Sequence, residues 1–120
     1  MKLYLSGPMT GYPQFNYPLF NAMAKKLREL GHEVYNPAEY ATNSGYDGPL
    51  EQIPIKEAFA EYCHEICLWA EAIIVLPGWQ MSSGATCEVR LGQVVGIPYI
   101  PIDLFLEGAV YVDEQGTLPL

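Results

Sequence analysis

Residues 72–76 read A-I-I-V-L, an uninterrupted apolar run that stands between two segments of helical periodicity. A strand with apolar side chains at every position is typical of a parallel sheet that is covered on both faces. One helix is predicted from about Ile55 to Ala70, and a second follows the run and ends near Gly96. The chain is therefore predicted to be an α/β protein with helices on both faces of a parallel sheet.

More strands are predicted on either side of this centre. K-L-Y-L-S at 2–6 and H-E-V-Y at 32–35 are short apolar segments, and the residues between them have the spacing of an amphipathic helix. Asn16 is expected to cap that helix and Gly31 to end it. I-P-Y-I-P-I at 97–102 predicts a strand whose prolines indicate a sheet edge or a strand end.

The remaining segments complete the domain. Residues 38–52 have no clear periodicity and are predicted to form a long loop. The tail A-V-Y-V-D-E-Q-G-T-L-P-L at 109–120 predicts two short extended segments around a turn. The 120 residues are expected to form a single domain over 1–120, with its core at 2–101 and a C-terminal extension at 102–120.

The composition limits the kind of partner. The net charge is −8 with six Lys and Arg residues, which argues against a nucleic-acid backbone or an anionic membrane. A small nucleotide remains compatible, because backbone N–H groups can hold it. No apolar run reaches about 18 residues, and glycine and proline interrupt the apolar N-terminus, so neither a membrane span nor a signal peptide is predicted.

The three cysteines have no spacing typical of a disulfide framework, and a reduced, cytoplasmic setting is expected. Cys63 and Cys67 lie one helical turn apart beside His64, a spacing that is compatible with a metal site. No second pair of ligands follows, so the cysteines are interpreted as small buried side chains. We predict neither a metal nor a cofactor.

Three turns are the expected ligand-binding segments. In parallel α/β sheets, ligands lie beyond the carboxyl ends of the strands, where the strand order reverses. The turns there are S-G-P-M-T-G, N-P-A-E and P-G-W-Q-M-S-S-G, at 6–11, 36–39 and 77–84. They are rich in Gly, Ser and Pro, which suits close approach of the backbone to a ligand. The candidate binding residues are Ser6, Gly7, Gly11, Asn36, Gly78, Trp79, Ser82, Ser83 and Gly84.

These candidates have structural alternatives. Ser6, Gly7 and Gly11 also fit an ordinary tight turn. Trp79 also fits a core or interface aromatic. The third turn leads into a helix that Ser82 or Ser83 can cap, and the free N–H groups of that helix end favour an anion.

Glu88 is the candidate catalytic residue. Its neighbours one helical turn away are Gly84, Ala85, Leu91 and Gly92, so no basic side chain pairs with it on its helix face. A capping box is excluded, because it requires Ser or Thr where Ala85 stands. An unpaired, partly buried carboxylate facing a cavity suits nucleophilic attack or stabilisation of a cation. The alternative is a surface glutamate that stabilises the helix dipole.

Three segments together resemble a known group of enzymes. They are Y-L-S-G-P-M-T-G, F-N-Y-P-L-F-N-A-M-A-K-K-L-R-E-L-G-H-E-V-Y-N-P-A-E and A-I-I-V-L-P-G-W-Q-M-S-S-G-A-T-C-E. The chain is similar in these motifs to nucleoside 2-deoxyribosyltransferases, to deoxynucleoside 5′-monophosphate N-glycosidases, and to a family of short bacterial and phage proteins related to them. The resemblance covers roughly residues 2–101.

The resemblance implies a flavodoxin-like, doubly wound parallel sheet of about five strands and a homo-oligomer. In such enzymes a glutamate in a G-x-x-x-E turn attacks C1′ of a 2-deoxyriboside, and a second base or water resolves the glycosyl-enzyme. The segment from Gly84 to Glu88 matches that turn. The implied function is cleavage or transfer at the N-glycosidic bond of a 2′-deoxynucleoside or its 5′-monophosphate. The matching binding residues are Tyr4, Gly7, Met9, Gly11, Ser82 and Gly84.

Two departures from the enzyme pattern keep a second function open. Active relatives carry an aspartate on the helix before the third strand, and Cys63 occupies that position. Monophosphate-specific relatives carry an arginine in the first turn, and Thr10 stands there. The alternative function is a non-catalytic module that binds a nucleotide-like ligand on the same fold.

Overall fold

Four parallel strands form the centre of the sheet in the computed structural model, which describes residues 1–108, 110–113 and 116–119. The strands are β1 (Lys2–Ser6), β2 (Glu33–Tyr35), β3 (Ala72–Val75) and β4 (Tyr99–Pro101). Their order is β2-β1-β3-β4, so the order reverses between β1 and β3. The carboxyl ends of these two strands therefore define the expected ligand-binding edge.

Two antiparallel strands extend the sheet beyond β4. β5 (Val110–Asp113) pairs with β4, and β6 (Gly116–Pro119) pairs with β5. They agree with the two extended segments predicted for the tail, and the predicted turn between them lies outside the described residues. The α/β class is confirmed, but the parallel part has four strands rather than about five, because the chain adds its last strands in the antiparallel sense.

Helices connect and cover the strands. Those in the described residues are α1 (Tyr17–Glu29), α2 (Tyr40–Ser44), α3 (Ile55–Leu68), α4 (Ser83–Val95) and α5 (Ile102–Leu106). α1 and α5 pack on one face of the sheet, and α2, α3 and α4 pack on the other. Ile74 faces the first layer, while Ile73 and Val75 face the second, so β3 is buried on both sides as its composition predicts.

Two local predictions were wrong. Residues 38–52 are not one loop, because α2 and two 3-10 turns lie at and within its bounds. The buried Asn36 starts this helical path, since its side-chain oxygen accepts a hydrogen bond of 3.0 Å from the N–H of Ala38. Asn16 precedes α1 with a left-handed φ of +59°, and its side chain makes no capping hydrogen bond; its amide instead donates a 2.9 Å hydrogen bond to the carbonyl of Pro8.

Two further findings concern membranes and metals. No helix in the described part of the chain is long and apolar enough to cross a membrane. Within the same residues, no group of three His, Cys, Asp or Glu side chains is arranged to hold a metal ion.

Candidate active site

Glu88 lies on the inner face of α4, where its side chain is only 6% exposed. Ser82 caps the helix, since its hydroxyl oxygen accepts a 3.1 Å hydrogen bond from the N–H of Ala85. The small residues around Glu88 let α4 lie directly on the sheet. A Cβ on Gly92 would come within 2.6 Å of the side chain of Ile73 in β3. The small-residue face therefore brings the Glu88 carboxylate to the carboxyl end of β1.

Two hydroxyl groups of β1 hold this carboxylate. The phenol of Tyr4 donates a hydrogen bond of 2.5 Å to Oε2, and Ser6 Oγ donates one of 2.6 Å to Oε1. The two donors lie two residues apart on one strand, so both point to the same face of the sheet. The expectation of an unpaired carboxylate was wrong in this respect. The bonds of Tyr4 and Ser6 fix the orientation of Glu88.

The surroundings of Glu88 weaken its acidity. Burial raises the pKa of its carboxyl group from 4.5 to about 7, although the hydrogen bonds from Ser6 and Tyr4 lower it in part. Burial and the adjacent Glu88 raise the pKa of the Tyr4 phenol well above 10, so Tyr4 keeps its proton and remains a donor. Near neutral pH the carboxylate and the carboxylic acid are therefore both populated.

A cavity of about 440 Å³ opens above this carboxylate. It lies between the turn after β1, the N-terminal half of α3 and the first turns of α4. This volume lies within the range of about 300–1,000 Å³ that is usual for small-molecule sites. Residues predicted from the sequence that line it are Ser6, Gly7, Met9, Ser82, Ser83, Gly84 and Glu88.

Other predicted residues lie elsewhere. Tyr4 is fully buried beneath the cavity and reaches it only through Glu88. Asn36 is buried, and both ends of its side-chain amide are used within the protein: the oxygen accepts from Ala38, and the nitrogen donates to Asn21 at 3.0 Å. Gly78 and Trp79 line a separate cavity of about 210 Å³, where the indole packs against Tyr99 with ring centroids 5.4 Å apart.

Gly11 also does not line the main cavity. It is an exposed residue with a φ of +86°, a value that favours glycine. Its role in the turn after β1 is therefore conformational. Thr10, where relatives carry arginine, does line the cavity, and no Lys or Arg is among the lining residues.

Several lining residues were missed. No residue of α3 was among the predicted binding residues, yet Phe59 and Tyr62 of its apolar stripe form one wall of the cavity. The signal was present, because the stripe begins at the carboxyl edge of the sheet, where a cavity wall is expected. The further residues that were missed are Leu5, Phe20, Pro37, Ile55, Ala85 and Cys87.

Cys63 is the residue that the sequence analysis placed where active relatives carry an aspartate. It is half-buried and is not part of the cavity wall, whereas its neighbour Tyr62 is. The hydroxyl of Tyr62 donates a long hydrogen bond of 3.4 Å to the carbonyl of Pro37. Burial raises the pKa of that phenol, so it stays protonated. The α3 wall is therefore aromatic rather than acidic.

These features define a class of α/β proteins in which a buried glutamate faces a cavity at the switch point of a parallel sheet. Residues 1–100 match the model of the family described as a domain of unknown function, DUF4406, and the chain belongs to that family. No curated protein matches the chain. Among solved structures it is similar to the 2-deoxyribosyltransferase of the psychrotolerant bacterium Bacillus psychrosaccharolyticus.

The similarity to that transferase concerns the fold. The TM-score is 0.63 at 21% sequence identity, over 84% of this chain and 71% of the other. That transferase is described as a biocatalyst for the synthesis of nucleosides. The resemblance in fold and the α/β architecture expected from the sequence are thereby confirmed.

Proposed function

We propose that this protein cleaves or transfers the N-glycosidic bond of a 2′-deoxynucleoside or its 5′-monophosphate, with Glu88 as the nucleophile. The observation that carries the proposal is the Glu88 carboxylate, which is buried, faces the cavity and is held by two hydroxyl donors. Burying a carboxyl group costs free energy, and a basic partner usually offsets that cost. A lining without Lys or Arg leaves the carboxylate free to react with a ligand.

The chemistry follows from that arrangement. One oxygen of ionised Glu88 forms a bond to C1′ while the bond from C1′ to the base nitrogen breaks, and the electron pair leaves with the base. The base takes up a proton. Water or a second base then attacks C1′, and the glutamate is released as a carboxylate. Tyr4 and Ser6 orient the carboxylate in both steps, since their bonds fix its plane.

The cavity walls suit a nucleoside. Phe59 and Tyr62 offer aromatic surface for a base, and a ring stacked on an aromatic side chain is stabilised by about 1–3 kcal/mol in single-stranded nucleic-acid complexes. Gly84 leaves the backbone open to close approach, since a Cβ there would meet nothing closer than 3.9 Å. Ser82 and Ser83 add polar groups at the helix end.

A second candidate function is a binding module without turnover. One observation favours it: among the described residues that line the cavity, Glu88 alone is acidic. Protonation of the departing base by a side chain then falls to a hydroxyl, and a phenol with a raised pKa such as that of Tyr62 is a weak acid. Such a protein holds its ligand and releases it unchanged.

The test is release of base from a panel of 2′-deoxynucleosides and their 5′-monophosphates, followed by chromatography. Glu88→Gln keeps the size of the side chain and is expected to lower release by roughly 10⁴-fold or more, as other removals of a nucleophile do. Glu57→Gln, on the exposed face of α3, is the matched control and retains turnover. Binding without cleavage by the wild type across the whole panel supports the binding module instead.

A further inference from the structure

Three cysteine side chains on α3 and α4 have no part in the proposed chemistry. Cys63 and Cys67 lie on α3, and Cys87 lies on α4 directly before Glu88. All three thiols are free. Cys67 and Cys87 are exposed and Cys63 is half-buried, so the interpretation of the cysteines as buried side chains was wrong. Cys87 also lines the cavity.

Cys63 and Cys87 lie on two helices that pack against each other. α3 joins β2 to β3 and α4 joins β3 to β4, so both helices run against the parallel strands and parallel to one another. They pack side by side. A Cβ on Gly84 would lie 3.9 Å from the ring of Phe59, which fixes the level at which the helices meet. One turn further along each helix, Cys63 follows Phe59 and Cys87 follows Gly84.

The electrostatics of Cys63 agree with that register. Burial is the largest cause that raises the pKa of its thiol, followed by the charge of Glu88 and then by the thiols of Cys87 and Cys67. Cys63 is therefore near both Cys87 and the carboxylate, and it is largely protonated at neutral pH. Of Cys63 and Cys87, the exposed Cys87 is the thiol that meets a reagent first.

Cys67 is a poorer partner for Cys63 than Cys87 is. Residues four apart on a helix have Cβ atoms about 5–6 Å apart. A disulfide requires a Cβ–Cβ distance of about 3.5–4.5 Å, so an i, i+4 bond distorts the helix. The Cβ–Cβ distance between two facing helices is not fixed by the geometry of either helix, and rotation about χ1 of both cysteines can bring their sulfur atoms together.

We propose that Cys63 and Cys87 are a redox-modification site, which a peroxide converts into a disulfide that ties α3 to α4 beside Glu88. The Cys87 thiolate attacks one peroxide oxygen and becomes a sulfenic acid as water is released. The Cys63 thiol then displaces a second water and forms the S–S bond. Two thiols are oxidised, one peroxide is reduced, and two waters are formed. A thiol reductant reverses the bond by exchange.

The disulfide changes the cavity without touching the carboxylate. Cys87 belongs to the wall of the cavity and is adjacent to Glu88 in sequence, so a bond to Cys63 draws its side chain towards α3. The helix pair is also cross-linked at the level of the nucleophile. Oxidation is therefore expected to alter ligand access, whether the protein turns its ligand over or only binds it.

The test is intact mass and thiol counting after brief treatment of the reduced full-length protein with hydrogen peroxide. The wild type is expected to lose about 2 Da and two of its three alkylatable thiols, and to regain both with dithiothreitol. Peptide mapping should join the segments that contain Cys63 and Cys87. Cys67→Ser is the matched control and forms the same bond. Cys63→Ser should instead accumulate a sulfenic acid at Cys87 that dimedone labels.

Other outcomes contradict the proposal. A wild-type protein that keeps all three thiols under peroxide overturns it, as does a bond that includes Cys67 or joins two chains. The proposal is also overturned if Cys87→Ser forms as much intramolecular disulfide as the wild type does. If Cys63→Ser does not fold, Cys63→Ala replaces it. Because the readout is mass rather than turnover, a protein without glycosidic activity leaves this result unaffected.

Discussion

The phenol of Tyr4 in β1 donates a 2.5 Å hydrogen bond to Glu88 in α4, a residue 84 positions later in the chain. Both side chains are buried, and they join the first strand to the helix that follows the third. The packing that buries Tyr4 therefore also sets the orientation of the Glu88 carboxylate, the proposed nucleophile. Several measurable consequences follow from this relationship.

The first prediction concerns the pH dependence of turnover. With a Glu88 pKa of about 7, kcat/KM should fall as the pH decreases through 7, since protonation removes the nucleophilic carboxylate. Tyr4→Phe removes a donor that stabilises the ionised form, so the acid limb should move upward by roughly one pH unit. Tyr35→Phe is the control, because Tyr35 stacks on Tyr4 but donates its hydrogen bond to Glu61. An acid limb at the same pH in all three proteins contradicts the assignment.

The second prediction concerns stability. The folded-state pKa of Glu88 lies above its value of 4.5 in the unfolded chain, so its favourable contribution is complete below pH 4.5 and is lost as the pH rises through about 7. Glu88→Gln has no charge to bury and should unfold at higher urea concentration than the wild type at pH 8, by about 1–3 kcal/mol. The difference should shrink towards zero at pH 4. The exposed control Glu57→Gln should show no such trend.

The fold class could be predicted from the sequence because the signals are local. The buried run at 72–76 and the periodicity of the helices require no tertiary information, and both are confirmed. The two failures have separate causes. Asn16 has the right side chain to cap a helix, yet the carbonyl of Pro8 takes its amide. The segment 38–52 lacks periodicity because short helices present too few residues to show one.

The site was predictable in part for a related reason. The isolation of Glu88 among small residues marked it, and six of the predicted turn residues line the cavity with it: Ser6, Gly7, Met9, Ser82, Ser83 and Gly84. The rule that ligands lie beyond the carboxyl ends of the strands identifies turns, but it does not say where the side chains of those turns point. It therefore also selected Asn36, whose bonds are internal, and Trp79, which packs on Tyr99. Tyr4 bonds to Glu88 because β1 lies beneath α4 in the folded protein, and this packing could not be predicted from the sequence.

The third prediction compares two glycines of the cavity. A Cβ on Gly7 would come within 2.9 Å of the Cβ of Leu76, whereas a Cβ on Gly84 meets nothing closer than 3.9 Å. Gly7→Ala should therefore lower the free energy of unfolding by about 1–3 kcal/mol, as overpacking does. Gly84→Ala should fold with unchanged or slightly higher stability, since alanine favours a helix, but should weaken ligand binding by narrowing the cavity. Urea denaturation and titration calorimetry give the two readouts. Equal losses of stability would argue against this packing.

The fourth prediction is a homo-oligomer, at least a dimer. Leu68 of α3 and Val94 of α4 are 74% and 69% exposed, and their burial against a second copy would lower the free energy of the assembly. Light scattering at high micromolar concentration should give at least twice the mass of one chain. A monomer under those conditions contradicts this prediction and leaves the assignment of Glu88 untouched.

The nucleophilic role of Glu88 is the central claim, and the glycosyl-enzyme tests it most directly. The protein is incubated with a 2′-deoxynucleoside or its 5′-monophosphate that it cleaves, quenched in acid, and examined by intact mass and peptide mapping. We predict that the wild type gains the mass of one deoxyribosyl group or its 5′-phosphate, located on Glu88, and that Glu88→Gln gains none. A sugar adduct on another residue, or unchanged turnover by Glu88→Gln, would contradict the account.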